Sequence, residues 1–341
     1  MIIACIFHYE HFYSDALVNY PFYNILAPFY NYGYLCVEMF LMLSGFKFVA
    51  LYEKKISEGE ITFSEFIKKR LIRLYPLFGI MTVVTQILQM MCYHRFGWYF
   101  LHESSTLYDM LLTLLGVTGI LNLSATAING PAWTMPIEMT MYIIFFFVAK
   151  RAKIHYIGAY FCALLFGLTV RGWGCWYPLI NGNLARGLIS FFLGALICKF
   201  QQQVREPRKI AVGSFCGLLF SVMIWIFWGK ESFGDFDGYF ALIILPSILL
   251  LFLNSKVAIL LLSSKIASFF GRISYSMYLV HFPITILIAM AYELSGRTLD
   301  SGNPALLYFR TVLILVASIA TYYLLEQPLY SIVMNRMRKL E

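Results

Sequence analysis

Charge is scarce in this chain. Only 13% of its 341 residues are Asp, Glu, Lys or Arg, against 60% hydrophobic and 18% aromatic. A soluble surface needs about a quarter charged residues, so a soluble domain of ordinary size is excluded. Cysteine is present without pattern. The seven (Cys5, Cys36, Cys92, Cys162, Cys175, Cys198 and Cys216) are odd in number and scattered, and no CxxC pair occurs. Neither a zinc site nor a disulfide framework is supported, and the thiols read as small apolar fillers. Internal repeats and low-complexity tracts are missing. So are the matching Gly/Pro-broken helices that mark many transporters and a leader with a small-residue cleavage site.

What is there is apolar sequence. Runs of roughly 17–25 apolar residues recur from end to end, each long enough to cross a bilayer core of about 30 Å as a helix. The fold class expected is all-α, a polytopic transmembrane bundle forming one domain over 1–341. The formal net charge of +8 is not a nucleic-acid footprint, because the basic residues gather in short loops. Lys54, Lys55, Lys68, Lys69, Arg70 and Arg73 place the 52–73 loop in the cytoplasm, whereas 9–31 contains no Lys or Arg and belongs outside. The same rule puts inside the clusters Lys150–Arg151–Lys153, Lys199 to Lys209, Lys256 to Arg272, and Arg336–Arg338–Lys339.

These anchors predict ten crossings, near 1–8, 32–51, 72–92, 133–149, 154–170, 184–199, 210–228, 238–253, 273–294 and 304–325. Residues 106–122 are apolar but fit no parity, so they are expected to form a re-entrant or interfacial helix on the outer side. Eight helical residues rise only about 12 Å, so the chain is expected to begin inside its first helix, with the natural start upstream. The C-terminus is expected in the cytoplasm.

Ionisable groups inside apolar runs cost several kcal/mol unless paired or facing a polar cavity, so they mark function by default. His8, Glu38, Glu138 and Arg310 are four of these, and the threading puts all of them in the outer leaflet. A histidine with a carboxylate nearby is the usual kit for taking a proton from a hydroxyl. The plainer reading is a set of ion pairs holding helices together. For His8 alone a snorkelling interfacial histidine also fits, and His11 is the alternative active histidine. Arg70 and Arg73, three apart, share a helix face and can clamp phosphates with forked hydrogen bonds; simple cytoplasmic anchoring needs only their charge. His281 reads as a proton carrier or as a hydrogen-bonded core histidine. The aromatics of the outer loop read as interface belts, and Asn122-Leu-Ser carries little information.

Five blocks, in order, resemble the acyltransferase-3 family of bacterial membrane O-acyltransferases. They are Gly33 to Phe46 (with Glu38, Phe40, Ser44 and Gly45), Phe66 to Pro76, Trp133 to Tyr142 (with Glu138), Ser274 to His281 (with Tyr278), and Glu326-Gln327-Pro328. Departures from the family pattern are Cys36 for glycine, Leu41 for phenylalanine, and Thr134 and Pro136 in the tryptophan block; none removes a charge. The family's first helix carries a histidine that His8, followed by Tyr9, matches better than His11 does. It also carries an arginine that would fall before Met1.

The resemblance implies transfer of an acyl group, usually acetyl, from cytoplasmic acyl-CoA to a hydroxyl of a surface glycan or lipid-linked precursor. It implies His8 as general base or acyl relay with Glu38 as its orienting partner, Glu138 as a second carboxylate, and Arg70 and Arg73 on the CoA phosphates. Ser44, Trp133, Tyr142, Ser274, Tyr278, His281, Arg310 and Glu326 are further site candidates. No permanent cofactor, metal or nucleic-acid partner is expected. A membrane carrier of acyl groups or glycan intermediates, using a His/Glu proton relay, is the alternative, and an inactive scaffold of a polysaccharide assembly complex a third.

Overall fold

A computed structural model describes residues 1–12, 17–101, 104–121, 127–152, 155–174, 179–232 and 236–338. Lys153 and Lys339 of the basic clusters, Cys175, and the Asn122-Leu-Ser stretch lie outside the described residues. Among the described residues the regular structure is helical, apart from one isolated bridge between Thr118 and Leu121. The helices used below are α1 (Ile2–Phe7), α2 (Tyr23–Tyr32), α3 (Cys36–Ser57), α4 (Phe63–Phe96), α5 (Leu107–Leu114), α6 (Thr134–Ala152), α7 (Tyr156–Trp173), α8 (Gly182–Gln201), α9 (Pro207–Ser232), α10 (Phe236–Tyr239), α11 (Leu245–Asn254), α12 (Lys256–Leu262), α13 (Lys265–Ser295), α14 (Pro304–Thr321) and α15 (Gln327–Arg338).

Among the described residues eight helices are long and apolar enough to cross a membrane. A ninth span arises if Phe240–Asn254 and Lys256–Leu262, bent by 87°, count as one. These nine coincide with the predicted crossings from 32–51 onward. The first prediction, 1–8, corresponds to a six-residue helix, α1, followed by a 3-10 turn, His8–Phe12. Six residues rise only about 9 Å, so this segment does not span on its own. Within 106–122 the helix α5 has eight residues and is likewise too short to cross. Its start is set by a capping box between Thr106 and Asp109. Beyond its end, Gly119 at φ +87° lies against Trp133, where a Cβ would come within 2.5 Å of the Trp133 carbonyl.

The chain forms two compact units. One comprises Met1–Cys36, Phe66–Pro136 and Phe270–Glu341; the other comprises Val37–Glu65 and Ile137–Phe269.

In the first unit α13 is the central helix, buried from Ser276 to Met290 but for Tyr278 and Leu287. Pro283 lies inside it and has no N–H, so the carbonyl four residues back, on Leu279, loses its helical donor. The side-chain amide of Asn129 donates to that carbonyl at 2.8 Å, which is how a proline is carried through a buried helix. The α4 helix fixes the chain after it in the same way. Gln86 exchanges hydrogen bonds with Ser105, and Gln89 with the Phe100 backbone, at 2.8–2.9 Å, so both buried amides are satisfied.

The second unit is built on close helix approach. Gly45 of α3 touches the Phe191 carbonyl of α8, and Gly194 of α8 touches the Met42 carbonyl of α3; a Cβ at either position would lie 1.9 Å from that oxygen. Small residues let backbones meet this closely in membranes, where packing replaces the hydrophobic effect as the association force. Met42, Ile197, Leu245 and Leu249 form a core cluster beside this crossing.

Candidate functional site

In the first unit the polar groups meet where α1 gives way to the 3-10 turn. Residues three apart on such a turn eclipse one another, which brings His8 Nδ1 to 2.7 Å from His11 Nε2. One of these nitrogens must carry the proton and the other must accept it. The His281 ring lies 5.0 Å from that of His8, and Phe282 packs edge-on to His11. His281 donates from Nδ1 to the Met277 carbonyl at 3.2 Å, so in the neutral ring its other nitrogen, Nε2, holds a lone pair; that buried atom has no hydrogen-bond partner among the described residues.

Arg310 completes this group. It is fully buried, and its three nitrogens donate to the Cys5 carbonyl at 2.6 Å, the His8 carbonyl at 3.3 Å and Thr285 Oγ1 at 3.0 Å. The guanidinium therefore closes the C-terminal end of α1, whose last carbonyls have no helical donor. It also lies over the rings of Tyr9 and Phe12, at 5.8 and 5.6 Å. Tyr9 is itself anchored, donating to the Ser301 carbonyl at 2.8 Å and packing against Tyr20 and Tyr30. The outer-loop aromatics are thus a packed wall behind His8, not only a belt.

Further along α13, Tyr278 donates to the Pro131 carbonyl and lies 2.7 Å from Thr134 Oγ1, which fixes the 3-10 entry Gly130–Trp133 that carries Trp133. Ser276 donates to Glu326 at 2.5 Å, and the charge of Arg73 acts on the same carboxylate. Arg73 is exposed, and Arg70 lies over the Phe66 ring at 5.5 Å. Ser274 bonds back to Gly271 in its own helix, which is a structural role.

The second unit holds the carboxylates. Glu138 Oε1 accepts from Tyr142 OH and, at 3.4 Å, from Ser44 Oγ; Tyr142 stacks on Phe48. Glu38 Oε1 accepts from Arg186 Nε. The sequence reading sought a carboxylate as the partner of His8. Within the first unit His8 is hydrogen-bonded to His11, and within the second Glu38 accepts from Arg186.

Three residues escaped the sequence reading. Arg186 and Arg171 stand at the ends of α8 and α7 that the threading places outside, where the positive-inside rule leaves a cation unexplained; that exception was the available signal. Glu53, lying in what read as a cytoplasmic loop, is buried and bonded by Lys199 and by Tyr160 at 2.7 Å. Nothing in the spacing of Glu53 and Lys199 announces the pair.

Comparison with known proteins gives a match to the acyltransferase-3 family model, described as an acyltransferase domain, over residues 1–323. A Staphylococcus aureus (strain COL) protein named "Putative O-acetyltransferase" is 22% identical, over 92% of this chain and 55% of its own length. Its counterpart in strain N315, with the same name, aligns identically well. The chain therefore spans about half the length of these curated relatives. "Protein 2 in picA locus" of Rhizobium radiobacter is 32% identical, over 33% of this chain and 64% of its own. No solved structure matches.

Proposed function

We propose, because this chain belongs to the acyltransferase-3 family, that it is a membrane O-acyltransferase moving an acyl group, acetyl by preference, from acyl-CoA to a hydroxyl of a cell-surface glycan or its lipid-linked precursor. The observation that carries the reading is the His8–His11 pair, backed by His281 and held in place by Arg310. His8 takes the proton as the acceptor oxygen attacks the thioester carbonyl; the C–S bond breaks, and the proton passes to the departing CoA thiolate. Ester and free CoA are the products, and nothing is oxidised or reduced. His11 shares the proton through the 2.7 Å hydrogen bond, a positioning role that a carboxylate has in other bases. Arg70 and Arg73 hold the CoA phosphates, with Arg supplying the forked geometry phosphates favour. Glu38 and Glu138, in the second unit, are the carboxylates that the family resemblance assigns to the reaction.

In this reading the C-terminus lies on the cytoplasmic side of a bacterial inner membrane, which the basic loops support, and acyl-CoA enters from that side. Mass spectrometry of the surface glycan from cells with and without the gene tests the reading. An ester, +42 mass units for acetyl, is expected only with the gene, and identical spectra would contradict it. A carrier is the other reading, favoured by the lone pair on His281 Nε2, which suits a proton relay. Movement of glycan or acyl groups without any new ester would support it.

A further inference from the structure

The second unit contains a cavity of about 50 Å³ whose polar lining is Glu38, Arg171, Arg186 and Ser190, the larger share of the wall being apolar, from Leu168, Ile189, Ala241 and Leu242 among others. Two of its polar atoms, Glu38 Oε2 and Ser190 Oγ, are buried with no hydrogen-bond partner among the described residues. Glu38 is 3% exposed and Ser190 fully buried. A buried carboxylate oxygen left without a donor costs more than most single interactions return. Such an atom in a cavity wall therefore points to something that supplies a hydrogen.

The lining decides the chemistry of that ligand. An anion brings no hydrogen for Glu38 Oε2 and would be repelled by it. A cation has the hydrogens but meets the guanidiniums of Arg171 and Arg186. A neutral group that both donates and accepts, on a carbon frame, suits the lining: it gives its hydrogen to Glu38, takes hydrogen bonds from the arginines and Ser190, and turns its carbons to Leu168, Ile189 and Leu242. Size narrows the choice further, because one water needs about 10–15 Å³ of such space and the cavity therefore holds only a few oxygen-sized groups. The rim residues Arg171, Arg186 and Leu242 are half-buried, so the cavity lies close under the surface.

We infer that this cavity binds the hydroxyl-bearing edge of a sugar, a hydroxymethyl or adjacent diol, with Glu38 Oε2 accepting the hydroxyl hydrogen and Ser190 Oγ completing the set. Arg186 fixes Glu38 through Oε1 and so aims Oε2 into the cavity. That the bound hydroxyl belongs to the acyl acceptor rests on the proposed function; the binding itself does not.

Glycerol is the fragment that tests this, because it reproduces a diol edge whatever the sugar. Ligand-detected NMR on the full chain in nanodiscs is read with glycerol, and with sodium acetate and ethylammonium as probes of similar size. Saturable glycerol binding is expected, weakened about fivefold by Ser190→Ala, the loss of one hydrogen bond. Ala241→Leu, which fills the cavity, should abolish it, and neither ion should bind saturably. Circular dichroism and thermal melting establish that each variant is folded. Glycerol binding unchanged in both variants, saturable binding of either ion in preference, or no saturable binding at all would each overturn the inference. No outcome depends on acyl transfer, so failure here leaves the proposed reaction standing, and a missing ester leaves this site standing.

Discussion

Arg310→Met is expected to cost about 100-fold or more in acyl transfer while Arg310→Lys fails to rescue it. The guanidinium donates from each of its three nitrogens, to two carbonyls at the end of α1 and to Thr285 of α13, and through the first two it sets where His8 stands. A displacement of a catalytic group by about 1 Å is worth about 100-fold in rate. Lysine keeps the charge but places it at one point, and cannot reach three acceptors held in fork geometry. Leaving buried carbonyls without donors should also lower stability, by about 3 kcal/mol on the scale of charged hydrogen bonds. The check is a rate measured in proteoliposomes together with the melting temperature. A lysine variant with full activity would show that charge alone matters at this position.

Gly194→Ala is expected to prevent correct packing of the second unit. Its added methyl would lie 1.9 Å from the Met42 carbonyl, and backbone cannot move aside as a flexible side chain can. Helices α3 and α8 would have to separate, and with them Glu38 and Arg186, which stand on those two helices. Overpacking costs about 1–3 kcal/mol where side chains can yield, and the cost should be at the upper end or beyond where they cannot. Gly45→Ala faces the same distance to Phe191 and should behave alike. Gly213→Ala on α9 is the control, since nothing lies within 4 Å of its Cβ position and alanine is the better helix former by about 1 kcal/mol. Monodisperse yield and melting temperature should fall for the first two and hold for the third. Equal behaviour of Gly194→Ala and Gly213→Ala would refute the close approach.

The spans were legible because hydropathy and basic loops are one-dimensional properties: among the described residues eight of the ten predicted crossings have a helix long and apolar enough to make them, and a ninth falls on the bent pair Phe240–Asn254 and Lys256–Leu262. Legible too was that His8 and Arg310, 302 residues apart, would share a level, and the first unit brings them together. Partnerships were not legible. Which side chain meets which depends on the rotation of each helix about its axis, and an all-round apolar helix gives no amphipathic phase from which to read it. Arg186 and Glu53 illustrate this, since only packing shows that Arg186 and Lys199 of α8 reach Glu38 and Glu53 of α3. His11 was weighed as a rival to His8, whereas a 3-10 turn in place of a helix makes it a partner. Asn129 carried no signal at all, because its role exists only once Pro283 has freed a carbonyl 150 residues away.

The most direct test of the account is acyl transfer by His8→Ala, reconstituted in proteoliposomes with labelled acetyl-CoA and the glycan that carries the ester in the cells. Removing a positioned general base should lower the rate about 100- to 10,000-fold with the melting temperature close to that of the parent. A folded His8→Ala protein that forms the ester at the parental rate would contradict the placement of chemistry at His8.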